Sequence, residues 1–189
     1  FRRVLFRSTV NLANDLATQY QGRRVLVTGG LGFLGNNLAR RLSAWGARVT
    51  IVDSLIPEGG GNPFHQRGLE DATVIEVADL RAPGLVASLL PGCQVVFHLA
   101  GRTGHLDSMR EPQADLDSNV ASTLALLEAC RQHAPHARVV FTSTRQVYGK
   151  PLRLPLDETH PIQPVDVNAV HKLAAEQHLD RKSTRLNSS

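Results

Sequence analysis

One stretch of the sequence decides its fold: Val25-Leu26-Val27-Thr28-Gly29-Gly30-Leu31-Gly32-Phe33-Leu34-Gly35. An apolar run passes directly into glycines at 29, 32 and 35. This spacing is typical of the turn between the first strand and first helix of a dinucleotide-binding domain, where glycines permit a tight turn, backbone approach to a pyrophosphate and close helix packing. The helix N-terminus offers free N–H groups to phosphates. We therefore predict that a dinucleotide binds at Gly29, Gly32, Phe33, Leu34 and Gly35.

A carboxylate follows at the distance that this motif requires. Asp53 closes the second apolar run, 18 residues after Gly35. An acidic side chain near this distance binds the ribose hydroxyls and repels a 2′-phosphate. Asp53 therefore favours NAD over NADP as the cofactor.

Apolar, β-branched runs alternate with helical patterns along the chain, which indicates a doubly wound parallel α/β sheet of the Rossmann type. We predict strands at Arg24–Thr28, Arg48–Val52, Thr73–Val77, Gln94–Leu99 and Arg138–Thr142. We predict helices over 33–45, 83–90 and 112–133, another from about 166, and a weaker one over 9–19. Long loops are expected at 54–70 and 145–165. The predicted NAD-binding domain covers 9–180, with its core at 24–144 and an active-site loop and helix at 145–180.

The charge distribution argues against a nucleic-acid partner. The chain has 189 residues and a net charge of +4, but residues 1–8 and 181–189 carry six of the 21 basic residues and no acidic ones. The remaining body has 15 basic against 17 acidic residues and offers no basic face. No run approaches the roughly 18 apolar residues of a membrane span. Cys93 and Cys130 have no metal-ligand or disulfide spacing, so we expect buried reduced thiols and a cytoplasmic location.

Both ends of the chain look foreign to the fold. Residues 1–8 and 181–189 resemble translated sequencing-adapter sequence, and the last nine residues follow an amphipathic helix without any cap or turn signal. We expect both ends to be non-native.

Further motifs then point to one family. They are Asp79-Leu80, Phe97-His98-Leu99-Ala100-Gly101, Asn119, Ser143-Thr144-Arg145-Gln146-Val147-Tyr148-Gly149 and Lys172-Leu173-Ala174-Ala175-Glu176. With these, residues 24–180 resemble the extended short-chain dehydrogenases/reductases, specifically the NAD-dependent epimerase/dehydratase family that acts on nucleotide sugars. The resemblance implies adenine contacts at Asp79 and Leu80, and cofactor contacts at Leu99, Ala100, Gly101, Asn119 and Lys172. It also implies that a smaller C-terminal substrate domain is missing, so we expect this fragment to be inactive by itself.

The resemblance implies a catalytic set with one departure. Thr144 occupies the position of the hydroxyl that holds the substrate oxygen, and Lys172 that of the lysine that holds the nicotinamide ribose. Four residues before Lys172, where the family carries its tyrosine acid/base, stands Asn168. Positions 168 and 172 share a helix face, but a carboxamide cannot exchange a proton as a phenol can. Loss of a positioned acid/base costs about 10²–10⁴ in rate.

The loop after the fourth strand contains candidates for a substitute acid/base, because that edge of an open α/β sheet faces the ligand crevice. We hypothesise that His105, oriented by Asp107, replaces the tyrosine; the alternative is that these residues bind substrate or order the loop. Tyr148 is not expected to take this role, because its Tyr-Gly pair is a conformational element in the family.

Other polar residues receive structural interpretations. We expect Asp166 to cap a helix, and His98 to pack at a strand end. His171 points about 100° away from Lys172 around the helix, so we expect it to pack or to lie at the surface. The family's dehydratases carry an acidic pair where this chain has Arg145-Gln146, which argues against 4,6-dehydratase chemistry.

Two functions remain open at this stage. The first is an NAD-dependent epimerase or oxidoreductase that passes a hydride between a nucleotide sugar and the nicotinamide; the second is an NAD-binding sensor or structural protein whose catalysis has decayed. The resemblance also implies a homodimer through 112–133 and 166–180. The apolar residues Leu116, Val120, Leu124 and Leu127 fit either that interface or ordinary core packing.

Overall fold

The computed structural model describes residues 12–56, 59–69 and 73–186. The start of the predicted 9–19 helix, residues 1–8 and residues 187–189 lie outside these residues. The described chain forms two compact units, one made of 12–100 and 128–141 and the other of 101–127 and 142–186.

The first unit contains the parallel sheet that the sequence predicts. Its strands are β1 (Arg24–Thr28), β2 (Arg48–Asp53), β3 (Thr73–Val77), β4 (Val95–His98) and β5 (Arg138–Phe141). Among the described residues they form one sheet in the order β3-β2-β1-β4-β5, with every neighbouring pair parallel. The order reverses direction at β1, so the crevice between the ends of β1 and β4 is the topological switch point where α/β sheets bind ligands.

Helices cover this sheet. They are α1 (Leu12–Tyr20), α2 (Phe33–Ala44) and α3 (Leu85–Leu89), and a 3₁₀ turn spans Pro63–Gln66 within the predicted 54–70 loop. Val27 and Ile51 are fully shielded from solvent, as are Ala39 and Leu42 on the inner face of α2. Strands buried in this way read as continuous apolar runs, which is why their positions were predictable.

The second unit is helical and departs from the prediction in two places. It contains α4 (His105–Arg110), α5 (Pro112–Leu116), a π-helical turn (Asp117–Ala121), the start of α6 (Ser122–His133), a 3₁₀ turn (Arg145–Tyr148) and α7 (Val167–Leu186). The single helix expected over 112–133 is therefore interrupted, and six residues expected as loop form α4. Pro112 begins α5, as its fixed φ favours.

The helix α7 extends further than expected. It continues to Leu186, six residues past the predicted limit of the native chain. Residues 181–186 contain neither glycine nor proline, so nothing in the backbone stops the helix there. Whether these residues are native stays a prediction. In the described part of the chain, no helix has the length and apolar character that crossing a membrane requires.

Candidate functional site

The glycine loop has the geometry that its spacing predicts. Gly29 follows β1 with φ of +67°, and a Cβ added there would lie 2.7 Å from the backbone nitrogen of Ala100. A Cβ on Gly35 would lie 2.1 Å from the carbonyl oxygen of Gly29. Both distances are too short for any side chain. Only glycine therefore allows this approach of α2 to the end of β1, and of β1 to the residues after β4.

The N-terminus of α2 is open to a ligand. Gly32 is its N-cap and provides no side-chain hydrogen bond. The first backbone N–H groups of a helix have no partner within the helix, and the next two side chains, Phe33 and Leu34, are exposed. An uncapped helix start behind a glycine cradle suits a pyrophosphate, so the residues present fit the dinucleotide that the sequence predicts.

Asp53 stands at the end of β2 and contacts the same loop. Its Oδ2 accepts a hydrogen bond from the backbone N–H of Leu31 at 2.9 Å, and its Oδ1 accepts one from Leu55 at 2.9 Å. Each carboxylate oxygen can accept more than one hydrogen bond. Asp53 is therefore held in place and still has acceptor capacity for ribose hydroxyls.

The segment 59–69 forms hydrogen bonds to the glycine loop and to α2. These contacts were not predicted from the sequence. The carbonyl oxygen of Leu31 lies 2.6 Å from Nδ1 of His65 and accepts a hydrogen bond from the backbone N–H of Asn62 at 3.0 Å. Arg40 on α2 donates to the backbone oxygens of His65 and Arg67. The Gly59-Gly60-Gly61 run predicted only a loop here, without contacts to the rest of the fold.

The residues expected near adenine and along the cofactor have protein partners. Asp79 pairs with Arg81 at 2.8 Å, and the hydrogen bond from that guanidinium lowers the pKa of the Asp79 carboxyl. Leu80 is buried. The backbone N–H groups of Leu99 and Ala100 donate to the carbonyl and the hydroxyl of Thr28. That hydroxyl lies 2.7 Å from Nδ1 of His98, which is fully buried at the end of β4, as predicted.

In the second unit, Lys172 on α7 is a buried cation. Only 6% of it is exposed, and its Nζ donates to the backbone oxygen of Thr142 at 3.4 Å. Burial lowers the pKa of Lys172 to about 8, against the opposing effect of the Asp115 charge. A Cβ on Gly101 would lie 2.9 Å from this Nζ and 2.4 Å from Oδ1 of Asn119. The absence of a side chain at 101 thus lets both polar groups approach the backbone.

Asn119 lies in the π-helical turn and is completely buried. Its Nδ2 donates to the backbone oxygen of Arg102 at 3.3 Å, whereas its Oδ1 has no hydrogen-bond partner within the described residues. A buried acceptor without a partner is costly, and π-helical turns are frequent at functional sites. This oxygen is available to a donor group of a ligand or of water.

A hydrogen-bond network joins α5 to α7 around Asp115, which no sequence signal identified. The buried Asp115 carboxylate accepts a hydrogen bond from Nδ2 of Asn168 at 3.0 Å through Oδ2, and its Oδ1 lies 2.7 Å from Nδ1 of His171. The same Asn168 Nδ2 donates to the backbone oxygen of Arg102 at 2.8 Å. His171, which was expected to pack or to lie at the surface, packs against Asp115, and 13% of its side chain is exposed.

His105 begins α4, and its partner is Asp166 rather than Asp107. The ring Nδ1 lies 2.9 Å from Oδ2 of Asp166, and the ring Nε2 contacts the side-chain amide of Gln146. The Oδ1 of Asp166 accepts a hydrogen bond from the backbone N–H of Ala169 at 2.8 Å, so Asp166 also caps α7 as predicted. The Asp107 side chain instead folds back toward Gly104.

Thr144 and Tyr148 bracket a 3₁₀ turn. The hydroxyl of Thr144 accepts a hydrogen bond from the backbone N–H of Gln146 at 3.3 Å and caps the turn. Tyr148 is buried, and its ring meets that of His160 edge-on with centroids 5.8 Å apart. This packing agrees with a conformational role for Tyr148.

Known proteins resemble this chain along most of its length. The sequence model of the NAD dependent epimerase/dehydratase family matches residues 25–185. A UDP-glucose 4-epimerase of Mycolicibacterium smegmatis is 34% identical over 160 residues, which are 83% of this chain and 50% of that protein. The chain spans about half the length of the curated relatives it matches.

Solved structures give the same result. The NAD complex of UDP-glucose 4-epimerase from Brucella ovis superposes with a TM-score of 0.80 at 27% identity, covering 88% of this chain and 49% of that one. UDP-N-acetylglucosamine 4-epimerase from Methanobrevibacter ruminantium, in complex with UDP-N-acetylmuramic acid, gives 0.78 at 29% identity, covering 85% and 50%. The chain belongs to the NAD-dependent epimerase/dehydratase family and has its Rossmann-type fold.

Proposed function

We propose that the protein carrying this chain uses NAD to epimerise or oxidise a nucleotide sugar, with residues 24–180 as its cofactor-binding half. The observation that carries the proposal is the uncapped start of α2 behind the contact between Gly29 and Gly35, which suits a pyrophosphate. When bound, NAD supplies reversible oxidation of a sugar carbinol carbon. The nucleotide-sugar class is carried over from relatives that include a UDP-glucose 4-epimerase, a dTDP-L-rhamnose 4-epimerase and a CDP-paratose 2-epimerase.

Lys172 and Thr144 take binding roles in this proposal. The buried ammonium group of Lys172 would hold the nicotinamide ribose, and its low exposure strengthens any hydrogen bond that it donates. The hydroxyl of Thr144 would orient the reacting hydroxyl of the sugar. Its backbone is fixed by the cap that it forms on the 3₁₀ turn, which supports a positioning role.

His105 is the proposed acid/base. An imidazole can exchange a proton near neutral pH, and a carboxylate on one ring nitrogen orients the ring and stabilises its protonated form. The Nδ1 atom of His105 lies 2.9 Å from Oδ2 of Asp166, which brings a carboxylate beside the ring without a hydrogen bond. About half of the His105 side chain is exposed, so the ring is accessible to a substrate.

The test uses the gene product that contains residues 9–180 at its natural length. The protein is loaded with NAD, mixed with a panel of UDP-, dTDP- and CDP-sugars, and followed by the absorbance of NADH. We expect reduction with one sugar, transient for an epimerase and lasting for a dehydrogenase. The matched control is Gly35→Ala, in which NAD binding should be at least about tenfold weaker. Binding of NAD with no reduction across the panel contradicts the redox proposal.

That negative outcome would favour a second function, an NAD-binding sensor or structural protein. Asn168 supports this alternative, because its amide is bonded to Asp115 and to the backbone of Arg102 and contains no ionisable group. Among the described residues, the enzyme proposal therefore depends on His105 as the proton-exchanging group, whereas the sensor proposal requires no such group.

We also propose a homodimer. Leu116, Leu124 and Val170 are exposed apolar side chains on α5, α6 and α7, whereas Leu127 is buried. The apolar pattern of 112–133 thus divides into a core part and a surface part, and the surface part is available for a second copy of the chain.

A further inference from the structure

The carbonyl oxygen of Leu31, in the middle of the glycine loop, accepts two hydrogen bonds from one later segment. The backbone N–H of Asn62 donates to it at 3.0 Å, and Nδ1 of His65 lies 2.6 Å away. A carbonyl oxygen only accepts, so this ring nitrogen carries the proton. His65 therefore donates to the glycine loop from a position 34 residues further along the chain.

Leu31 also connects the glycine loop to Asp53. Its backbone N–H donates to Oδ2 of Asp53 at 2.9 Å, and its side chain is completely buried. The backbone of Leu31 is thus held from both sides by residues outside the loop. A rotation of this backbone breaks the hydrogen bond to Asp53 or the hydrogen bond to His65.

Residues 61–67 form a clasp over these groups. Gly61 lies against Asp53, since a Cβ added at Gly61 would lie 2.9 Å from Oδ1 of that carboxylate. Further along the clasp, Nη2 of Arg40 on α2 receives two of its backbone oxygens as acceptors, at 3.2 and 2.6 Å. The clasp therefore contacts the carboxylate expected at the ribose, the glycine loop, and the helix whose start suits a pyrophosphate.

We propose that the clasp holds the glycine loop and Asp53 in their NAD-binding arrangement before NAD binds, and that His65 is the positioning residue for this arrangement. The inference rests on the proposed function in taking NAD as the ligand. When a loop leaves its binding conformation in the free protein, the apparent affinity falls by the fraction of molecules that stay competent. Because Asp53 and the glycine loop serve the ADP half of a dinucleotide, His65 governs the affinity for ADP as much as the affinity for NAD.

Calorimetry with NAD and with ADP, on the gene product at its natural length, tests the role of His65. His65→Leu removes the donor and should weaken both ligands about two- to tenfold, the value of one hydrogen bond. His65→Asn is the conservative variant, because its side-chain amide can place a donor near the position of Nδ1, and it should restore most of the affinity. Gln66→Ala is the matched control. It changes the neighbouring side chain of the same turn, leaves the contact to Leu31 intact, and should bind both ligands as the wild type does.

Hydrogen exchange without NAD tests the free protein. The backbone N–H of Leu31 donates to Asp53, so its exchange reports whether the loop keeps this arrangement. We expect this N–H to exchange faster in His65→Leu than in the wild type, and to stay protected in His65→Asn. The measurement separates a loop that is ordered beforehand from one that NAD itself orders.

Equal NAD affinity in His65→Leu and the wild type overturns the inference, and so does a loss of NAD affinity without a matching loss of ADP affinity. Unaltered exchange at Leu31 in His65→Leu also overturns it and leaves the proposed function standing, whereas failure of the wild type to bind NAD overturns both. A His65→Asn variant as weak as His65→Leu contradicts a role for the donor. If His65→Leu does not fold, Arg40→Met replaces it, because Arg40 is exposed and also holds the clasp. Unchanged affinities in Arg40→Met then overturn the inference.

Discussion

The Nδ1 atom of His105 lies 2.9 Å from the Oδ2 atom of Asp166, while the other oxygen of the same carboxylate caps α7. One side chain thus ties the proposed acid/base to the start of the helix that carries Asn168 and Lys172. One oxygen accepts the capping hydrogen bond from Ala169, and the other lies beside the imidazole of His105 without a hydrogen bond.

The first prediction concerns this pair. We expect His105→Ala to lower turnover by about 10²–10⁴, the usual contribution of a positioned acid/base. Asp166→Asn keeps an oxygen for the helix cap and should lower turnover less, by loss of the charge that orients the ring. Asp107→Asn is the control, because Asp107 does not contact the ring, and it should leave turnover unchanged. Unaltered turnover in His105→Ala rules out the acid/base role.

The second prediction concerns the glycine cradle. In Gly35→Ala the new Cβ would lie 2.1 Å from the carbonyl oxygen of Gly29, so α2 must shift. We expect a loss of about 1–3 kcal/mol in the free energy of unfolding and at least about tenfold weaker NAD binding, for which about 1.4 kcal/mol suffices. Urea unfolding and calorimetry with NAD measure the two effects.

The matched control for this change is Gly22→Ala. Gly22 also has a positive φ, of +73°, but no atom lies within 4 Å of the added Cβ. It should cost about 1–2 kcal/mol through backbone strain and leave NAD affinity unchanged. Equal NAD affinity in Gly35→Ala and the wild type would contradict the cradle.

The third prediction follows from Lys172, whose pKa burial lowers to about 8 from 10.5. The folded state binds this proton less tightly than the unfolded chain does, so charged Lys172 destabilises the fold below pH 8. That penalty disappears as the pH rises from about 8 to about 10.5, at roughly 1.4 kcal/mol per pKa unit. Urea unfolding at pH 7.5 and 9.5 should show the wild type gaining stability relative to Lys172→Met. A pH-independent difference between the two proteins would refute the shift.

The fourth prediction concerns the proposed homodimer. Leu124→Glu places a charge at an exposed apolar position of α6, and we expect it to convert a dimer into a monomer in light scattering. Leu152→Glu is the control, since Leu152 is more exposed but lies on the loop before α7. Equal masses for Leu124→Glu and the wild type would remove these residues from any interface.

The fifth prediction concerns the two thiols. Burial raises the pKa of Cys130 to about 12 and also raises that of Cys93. At pH 8 the thiolate fraction of Cys130 is therefore about 10⁻⁴, and thiolate is the reactive form. We expect iodoacetamide to label neither cysteine in the folded protein and both in urea. Rapid labelling of the folded protein would contradict their burial.

The parts of the fold that follow from local sequence were predictable. The strand positions depend on apolar runs, and the glycine positions depend on the positive φ of Gly29 and on the close approach of Gly35 to the Gly29 carbonyl. The Asp115 network was not predictable, because Asp115 and His171 are far apart in sequence and neither carries a motif. The helix-face argument for His171 predicted packing or exposure but could not identify its partner, because Asp115 lies on another helix.

The helix α4 and the π-helical turn illustrate a second limit. Six residues beginning at His105 are too few for a clear helical period, and the glycines before them suggest a loop. The apolar spacing of Leu116, Val120 and Leu124 matched one regular helix, yet the extra residue of the π turn changes the helix phase beyond Leu116. Periodicity alone does not reveal an inserted residue.

The π-helical turn has a genetic consequence. A π turn holds one residue more than the α-helical turn it replaces, so deletion of one codon among those for Asp117–Ala121 would restore a regular helix. Because the extra residue is confined to that one turn, the residues on either side of it would keep their faces, and Leu116 and Leu124 would stay exposed. A deletion inside the regular part of α6 would instead rotate the residues that follow it by about 100°. Deletion of one codon in the π turn should therefore be tolerated better than deletion of one codon within α6.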